Sequence, residues 1–189
     1  MSHHENLKIL AFVGLTGSGK STAVEHFTTK GYPRVYFGGI VLEAMKQAGL
    51  EINPANEQTF REDLREKEGK DFIVKRIISQ IHDLADAGQH RIVADGLYTW
   101  TEYKALKKEF PGELSVIALV SAKHLRHHRL ETREVRPLTN EEASHRDWSE
   151  IENLEKGGPI AIADYYVANN ENVEHFYKQL DDIAAHVEF

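Results

Sequence analysis

The chain contains no cysteine. Disulfides and thiolate metal sites are therefore excluded by chemistry. Membrane-length apolar segments are also missing: runs such as "LKILAFV" and "ELSVIALV" are far too short to span a bilayer, and the opening "MSHHENLK" offers nothing like a signal-peptide core. These absences lead us to expect a soluble, cytoplasmic protein with no membrane partner. Positive charge is in the minority, 23 Lys and Arg against 30 Asp and Glu, for a formal net charge of −7. That balance argues against a nucleic-acid partner, because polyanion binding needs a surplus of cations. Any anionic ligand must be small and met by a local cluster.

What is present is an ordinary globular mixture, 41% apolar and 28% charged over 189 residues. A chain of this size buries a core without staples and suits one domain over 1–189. Short apolar runs at Leu7–Val13, Arg34–Phe37, Arg91–Asp95, Glu113–Val120 and Asp164–Asn169 alternate with longer amphipathic stretches. Strands alternating with helices predict an α/β fold with a parallel sheet covered on both faces. Thr99 to Glu102 and Thr139 to Glu142 each read T-x-x-E, the signature of a capping box opening a helix. The segment after Ser121 reads as one helix stopped by Pro137, and the segment opened by Thr139 as another running to the Gly157-Gly158-Pro159 stop, a candidate hinge.

Directly after the first run comes "GLTGSGKST". It matches G-x-x-x-x-G-K-[ST] at every position, and the pattern has a mechanism. Gly14, Gly17 and Gly19 permit the backbone turns that aim successive N–H groups, with those of Thr16, Ser18, Lys20, Ser21 and Thr22, at phosphate oxygens. Lys20 would neutralise the β- and γ-phosphates of ATP and Ser21 would ligate Mg2+. Asp95, at the carboxyl end of "RIVAD", suits a second magnesium-side carboxylate, a base, or a strand-end aspartate satisfying a turn. No N-K-x-D segment reads guanine, and no L-S-G-G-Q segment marks a transporter-type ATPase. The sequence is instead rich in arginine late on: Arg126, Arg129 and Arg133 at i, i+3 and i+7, then Arg136 and Arg146. Guanidinium groups on a lid, with Arg129 and Arg133 foremost, would stabilise a phosphoryl group in flight and exclude water; a solvated basic helix face is the alternative.

With "VYFGG", "VADG", "RLETR", "SHRDWSEIE" and "AIADYYVANN" added to the cradle, the chain resembles the nucleoside-monophosphate-kinase branch of P-loop proteins. Within that branch it is similar to the dephospho-CoA-kinase-like group related to archaeal adenylate-kinase-like proteins. The resemblance implies a three-layer P-loop fold with a five-stranded parallel sheet, ATP and Mg2+ as cofactors, a helical acceptor-binding segment over about 38–70 and a helical lid over about 122–158. It also implies that Asn169 lies near the donor adenine, a role that competes with a plain turn. The partner so implied is a nucleotide-like small-molecule acceptor.

Two departures bear on that acceptor. True dephospho-CoA kinases carry an aspartate just after the second strand, where this chain has Gly38-Gly39, and adenylate-type kinases place an arginine where this chain has Tyr98. A hydroxyl acceptor must lose a proton and is helped by a base, whereas a phosphate acceptor is already an oxyanion. The missing aspartate tilts the expectation towards a phosphorylated acceptor such as a nucleoside monophosphate, with phosphorylation of a hydroxyl as the alternative. Arg65 and Arg76 are the expected cations for its phosphate and Tyr36 a stacking surface for its base; ordinary helix ion pairs and core packing are the competing roles. A nucleotide-binding regulatory protein without turnover is the alternative of a different class.

Overall fold

The computed structural model describes residues 6–52, 54–69 and 71–189, without the side chains of residues 54, 55, 57, 58, 61 and 65. Strand β1 (Lys8–Val13) is buried along nearly all its length, which explains why its sequence does not alternate. Ile9, Ala11 and Val13 join one core cluster and Leu10 and Phe12 join the other, as the two-residue period of a strand requires. With β2 (Arg34–Tyr36), β3 (Arg91–Asp95), β4 (Leu114–Val120) and β5 (Tyr165–Ala168), β1 forms a five-stranded sheet in the order β2-β3-β1-β4-β5. All four strand pairings are parallel.

Helices cover both faces. On one, α1 (Lys20–Thr28) and α9 (Val173–His186) bring Val24, Phe27, Phe176 and Leu180 against Leu10, Phe12 and Val167. On the other, α2 (Gly39–Gln47), α4 (Phe72–Asp86) and α5 (Trp100–Glu109) bring Met45, Ile77, Ile81 and Leu106 against Ile9 and Val116. Helix α3 (Pro54–Glu68) joins α2 to α4. Central β1 hydrogen-bonds to β3 on one side and β4 on the other, so the chain leaving its carboxyl end opens a crevice there, the usual ligand position in such sheets.

The segment expected to form a lid departs from the expected helix lengths. Helix α6 (Lys123–Thr132) ends before Arg133, which is extended at ψ 143°. The Thr132 hydroxyl bonds back to His128 O, and Arg136, which precedes Pro137, takes φ +51°. A residue before proline avoids helical backbone, so the break begins ahead of the proline. Arg133 therefore does not continue the Arg126–Arg129 helix face. Helix α7 (Asn140–Glu152) also stops early, at a turn in which Glu155 has φ +53° and Lys156 N–H donates to Glu150 O at 3.1 Å. Gly157 and Gly158 do not end a helix: they begin a short one, α8 (Gly157–Ala161), with Gly158 pressed against the Trp100 ring. Both capping boxes form, at Thr99 and at Thr139.

Candidate functional site

The loop between β1 and α1 closes on its own lysine. Lys20 Nζ donates to Gly14 O at 2.7 Å and Leu15 O at 3.0 Å, so the ammonium group sits inside the turn. Gly17 and Gly19 have φ of +85° and +103°, a region that suits glycine. Space enforces the same choice, since a Cβ on Gly19 would lie 2.3 Å from Asn169 Nδ2 and one on Gly17 would lie 2.9 Å from Arg126 O. Asn169 is buried and donates from Nδ2 to Ser18 O at 3.0 Å. It thus braces the loop from behind.

Asp95 pairs in the sheet with Phe12, two residues before the loop begins, which puts its carboxylate at the mouth. Burial raises its pKa, while the nearby Arg34 and Lys20 charges pull it the other way. Arg34 Nη1 stands 3.3 Å from Asp95 Oδ2. Lys20 is perturbed more strongly: burial, then the neighbouring Lys156, lower its pKa from the ordinary 10.5 to about 8. A charge deprived of water is expensive until an anion meets it.

The lid helices are tied to the loop backbone. Arg126, buried, donates to Thr16 O at 3.1 Å and forks onto Asp147 at 2.7 and 2.8 Å. His127 adds a bond to the same carboxylate at 3.0 Å. Burial works against the charged form of Asp147, but these hydrogen bonds outweigh it and hold the pKa below its usual value. Arg129 reaches Gly17 O at 3.3 Å and Asn169 O at 2.9 Å. Of the arginines expected on a phosphate, Arg126 and Arg129 thus hold the loop in shape, and Arg129 also lines the cavity.

That cavity, about 560 Å³, is walled by the loop residues Thr16, Gly17, Gly19, Lys20, Ser21 and Thr22. Opposite them stand Arg129, Arg133, Arg146 and Lys156, with Glu150 the one carboxylate in the lining among the described residues. Among the described lining residues five cations face one anion, in a chain of net charge −7, a charge balance that suits a multiply charged anion. A second cavity of about 220 Å³ is lined by Phe37, Gly38, Val41, Ile73, Tyr98, Thr99, Glu102 and Leu154. Tyr98 and Leu154 form part of both walls, so the two cavities adjoin.

The expected acceptor residues divide. Gly38 and Tyr98 line the smaller cavity. Tyr36 is partly exposed, with the Arg34 guanidinium 4.8 Å from its ring centroid. The Tyr36 ring lies over Gly38-Gly39: a Cβ on either glycine would come within 3 Å of it. The two glycines leave room for the tyrosine. Arg76 is not brought to the site: it lines a separate surface depression with Glu43 and Gln47 and pairs with Glu68 at 2.6 Å. The side chain of Arg65 lies outside the described residues.

Two contributors, Glu150 and Lys156, carry roles that the sequence does not announce, and Glu102, expected as a cap, gains a second role. Glu150 and Lys156 are both buried and form an ion pair at 2.9 Å beside the loop. Glu102 closes its capping box with 2.9 and 2.8 Å bonds from Tyr98 and Thr99 N–H, and so shapes the smaller cavity. A usable signal did exist for Glu150. Ala143, Asp147 and Glu150 follow the Thr139 cap at helical spacing and make a buried stripe with two acids in it. Acids on a buried face demand cations, and the loop and α6 provide them.

For magnesium, the Ser21 hydroxyl on the cavity wall and the Asp95 carboxylate at the loop's mouth are hard oxygen donors. Two protein donors, the rest coming from phosphate and water, is the set magnesium takes.

An AAA domain family model (AAA_17) matches residues 13–145. A UPF0200 protein from Thermococcus kodakarensis is 32% identical over 171 residues, covering 89% of this chain and 91% of the relative. Another from Methanosarcina mazei is 31% identical over 179 residues, 94% of each chain. Among solved structures, shikimate kinase from Bacteroides thetaiotaomicron superposes with TM-score 0.60 at 11% identity, covering 96% of this chain and 99% of that one. A gluconokinase from Sinorhizobium meliloti gives TM-score 0.54 at 15% identity, covering 96% of each. These likenesses show the P-loop kinase fold.

Proposed function

The chain belongs to the UPF0200 family and to the AAA-domain family of P-loop proteins, and from this premise we propose that it transfers the γ-phosphoryl group of ATP to a small acceptor carrying its own phosphate, with nucleoside monophosphates the leading class. The observation that carries the reading is the pair of adjoining cavities, one rich in cations and floored by the loop, the other largely apolar. Triphosphate fits the first by charge; a base or similar flat body fits Phe37, Val41, Ile73 and Leu154 in the second. The shared wall at Tyr98 and Leu154 is where donor and acceptor phosphates would meet.

In the proposed step an acceptor phosphate oxygen forms a bond to the γ-phosphorus. The bond from that phosphorus to the β–γ bridging oxygen breaks, and its electron pair stays on ADP. Lys20 neutralises the triphosphate as the charge shifts, and Arg129 and Arg133 cover it from the lid. Magnesium, held by Ser21 and Asp95, would add Lewis-acid charge neutralisation. The loop's backbone N–H groups hold the phosphates in line, and the closed lid keeps water from competing.

A second reading is favoured by Asp95, whose raised pKa suits a base for a hydroxyl acceptor. Among the described residues, moreover, no basic side chain lines the smaller cavity. The test is ATP consumption with magnesium across nucleoside monophosphates, dephospho-CoA and hydroxylated acids, with products identified by mass spectrometry. We expect phosphorylated monophosphates, and loss of turnover in Lys20→Ala. Turnover on a hydroxyl acceptor alone moves the assignment to the second reading. Tight ATP binding without turnover on any acceptor makes the protein a nucleotide-binding regulator and sinks the kinase reading.

A further inference from the structure

The carboxylate of Glu150 is buried at the edge of the phosphate loop in a setting made for a phosphoryl group. Thr16 N–H donates to Glu150 Oε2 at 3.0 Å, and the Thr16 hydroxyl donates to Oε1. Lys156 Nζ lies 2.9 Å from Oε1 and Arg146 Nε 3.4 Å from it. One loop amide, one hydroxyl, one ammonium and one guanidinium thus converge on a single anion, brought by α7 from 134 residues away. The Lys156 ammonium also stands 4.6 Å from the centroid of the Tyr98 ring, the wall shared by the two cavities. It is buried there, with the cavity on one side and Glu150 on the other.

We propose that Glu150 is a resident stand-in for the phosphoryl group in the empty protein, and that Lys156 is the cation handed over from it to the transferring phosphoryl when ATP binds. The inference rests on the phosphotransferase reading above. The physical argument is one of competing anions. Lys20 and Lys156 line the same cavity, and the Lys156 charge disfavours the ammonium form of the desolvated Lys20. Such a pair needs negative charge nearby, and a buried cation left alone is costly. A carboxylate supplies one charge; a triphosphate supplies more, together with oxygens for Thr16 N–H and Arg146. Loading therefore exchanges Glu150 for phosphate at Thr16 N–H, Lys156 and Arg146, while the Thr16 hydroxyl donates to Glu150 alone. Lys156 then lies at the seam where the β–γ bond breaks and the acceptor bond forms. Its role is specific to the third phosphate, so ADP, which lacks that group, leaves Glu150 in place.

Binding of ATP and of ADP, each with magnesium, to wild type, Glu150→Gln and Lys156→Met provides the test by calorimetric titration. Removing the competing charge should tighten ATP about tenfold in Glu150→Gln, as expected when a buried anion no longer has to be displaced, and alter ADP less than threefold. Lys156→Met should bind ADP as wild type does yet lose at least a hundredfold in kcat, with partial rescue in Lys156→Arg. Should Glu150→Gln fail to fold, Thr16→Val deletes one donor to the carboxylate and should shift the ATP-to-ADP affinity ratio in the same direction, by about threefold, as loss of one such hydrogen bond predicts. Equal weakening of ATP and ADP in Glu150→Gln would make the residue a structural brace and overturn the proposal. So would wild-type kcat in Lys156→Met. A wild-type protein that binds neither nucleotide overturns the phosphotransferase reading itself, a distinct result.

Discussion

The two walls of the main cavity are built on opposite plans. The phosphate loop is continuous in sequence, residues 14 to 22, and its shape follows from glycines at φ that other residues avoid. The facing wall collects Tyr98, Arg129, Arg146 and Lys156 from separate elements, and Arg129 and Arg146 reach partners far along the chain, Gly17, Asn169 and Thr16. Arg126 and Arg129 are spent on loop carbonyls, while Glu150 reaches across to Thr16. A local motif carries its own geometry with it. A wall assembled at long range has geometry only once every partner is folded, so its failure modes are ion pairs rather than backbone.

The comparison breaks most sharply at Asp147, which anchors the lid to Arg126 and His127. Asp147→Asn keeps the shape but leaves the buried Arg126 guanidinium without its counter-charge, a change worth about 3 kcal/mol when one partner of a buried pair is removed. Chemical denaturation should show that loss while the loop sequence is intact. A variant unfolding within 0.5 kcal/mol of wild type, about the limit for surface changes, would mean the lid is not held this way.

The loop wall is probed by Gly19→Ala. The alanine must hold φ +103°, at a cost of about 2 kcal/mol for backbone strain, and its methyl must displace Asn169 Nδ2. Displacing the Asn169 brace shifts the loop, and ATP affinity should fall roughly a hundredfold, as small misplacements in such sites do. Unchanged affinity by titration would show that the loop tolerates movement that its tight contacts argue against.

These contrasts explain what was legible in the sequence. The three central strands were, because runs buried on both faces have no room for polar residues. The edge strands β2 and β5, each with a single buried residue, were legible as short apolar runs between helices. Both capping boxes were legible because their bonds span three residues. The end of α6 was misplaced because a proline is visible and a backbone that breaks ahead of it is not. Arg76 was assigned by residue type and sits instead on an outer surface with Glu68. Glu150 is legible only as an acid on a buried helix stripe, and its partner Thr16, like the Tyr98 ring beside Lys156, is supplied by the fold. Gly38-Gly39 read as a lost base; in space they are the room taken by Tyr36.

A titration sharpens the same contrast without any substitution. Lys20 has a pKa near 8 in the folded empty protein against an ordinary 10.5. Between those values the unfolded chain holds one more proton, so the stability of the empty protein should rise with pH from about 8 to 10.5. Phosphate needs the ammonium form, so ATP affinity should be level below pH 8 and fall above it, by up to about tenfold per unit. Titration calorimetry across pH 7 to 9.5 reads this directly (a range set by the pKa near 8). A flat profile would mean that Lys20 stays charged throughout.

The smallest expected effect separates the two capping boxes. At Thr99 the reciprocal glutamate, Glu102, is buried and accepts from Tyr98 and Thr99 N–H beside the smaller cavity. At Thr139 the reciprocal glutamate, Glu142, is exposed on the lid, although the same pattern of bonds holds its pKa below the usual value. Losing the Thr139 hydroxyl removes one cap bond where water can replace it, so Thr139→Ala should cost about 1 kcal/mol or less. The loss should appear as faster amide exchange in the first turn of α7 with little change in the global unfolding midpoint. Thr99→Ala removes the matching bond from a buried glutamate, so its cost should be larger and reach the acceptor side of the site. Equal effects from the two would mean that burial does not set the difference, and that the lid is as firmly coupled to the rest of the fold as the sheet-borne half is.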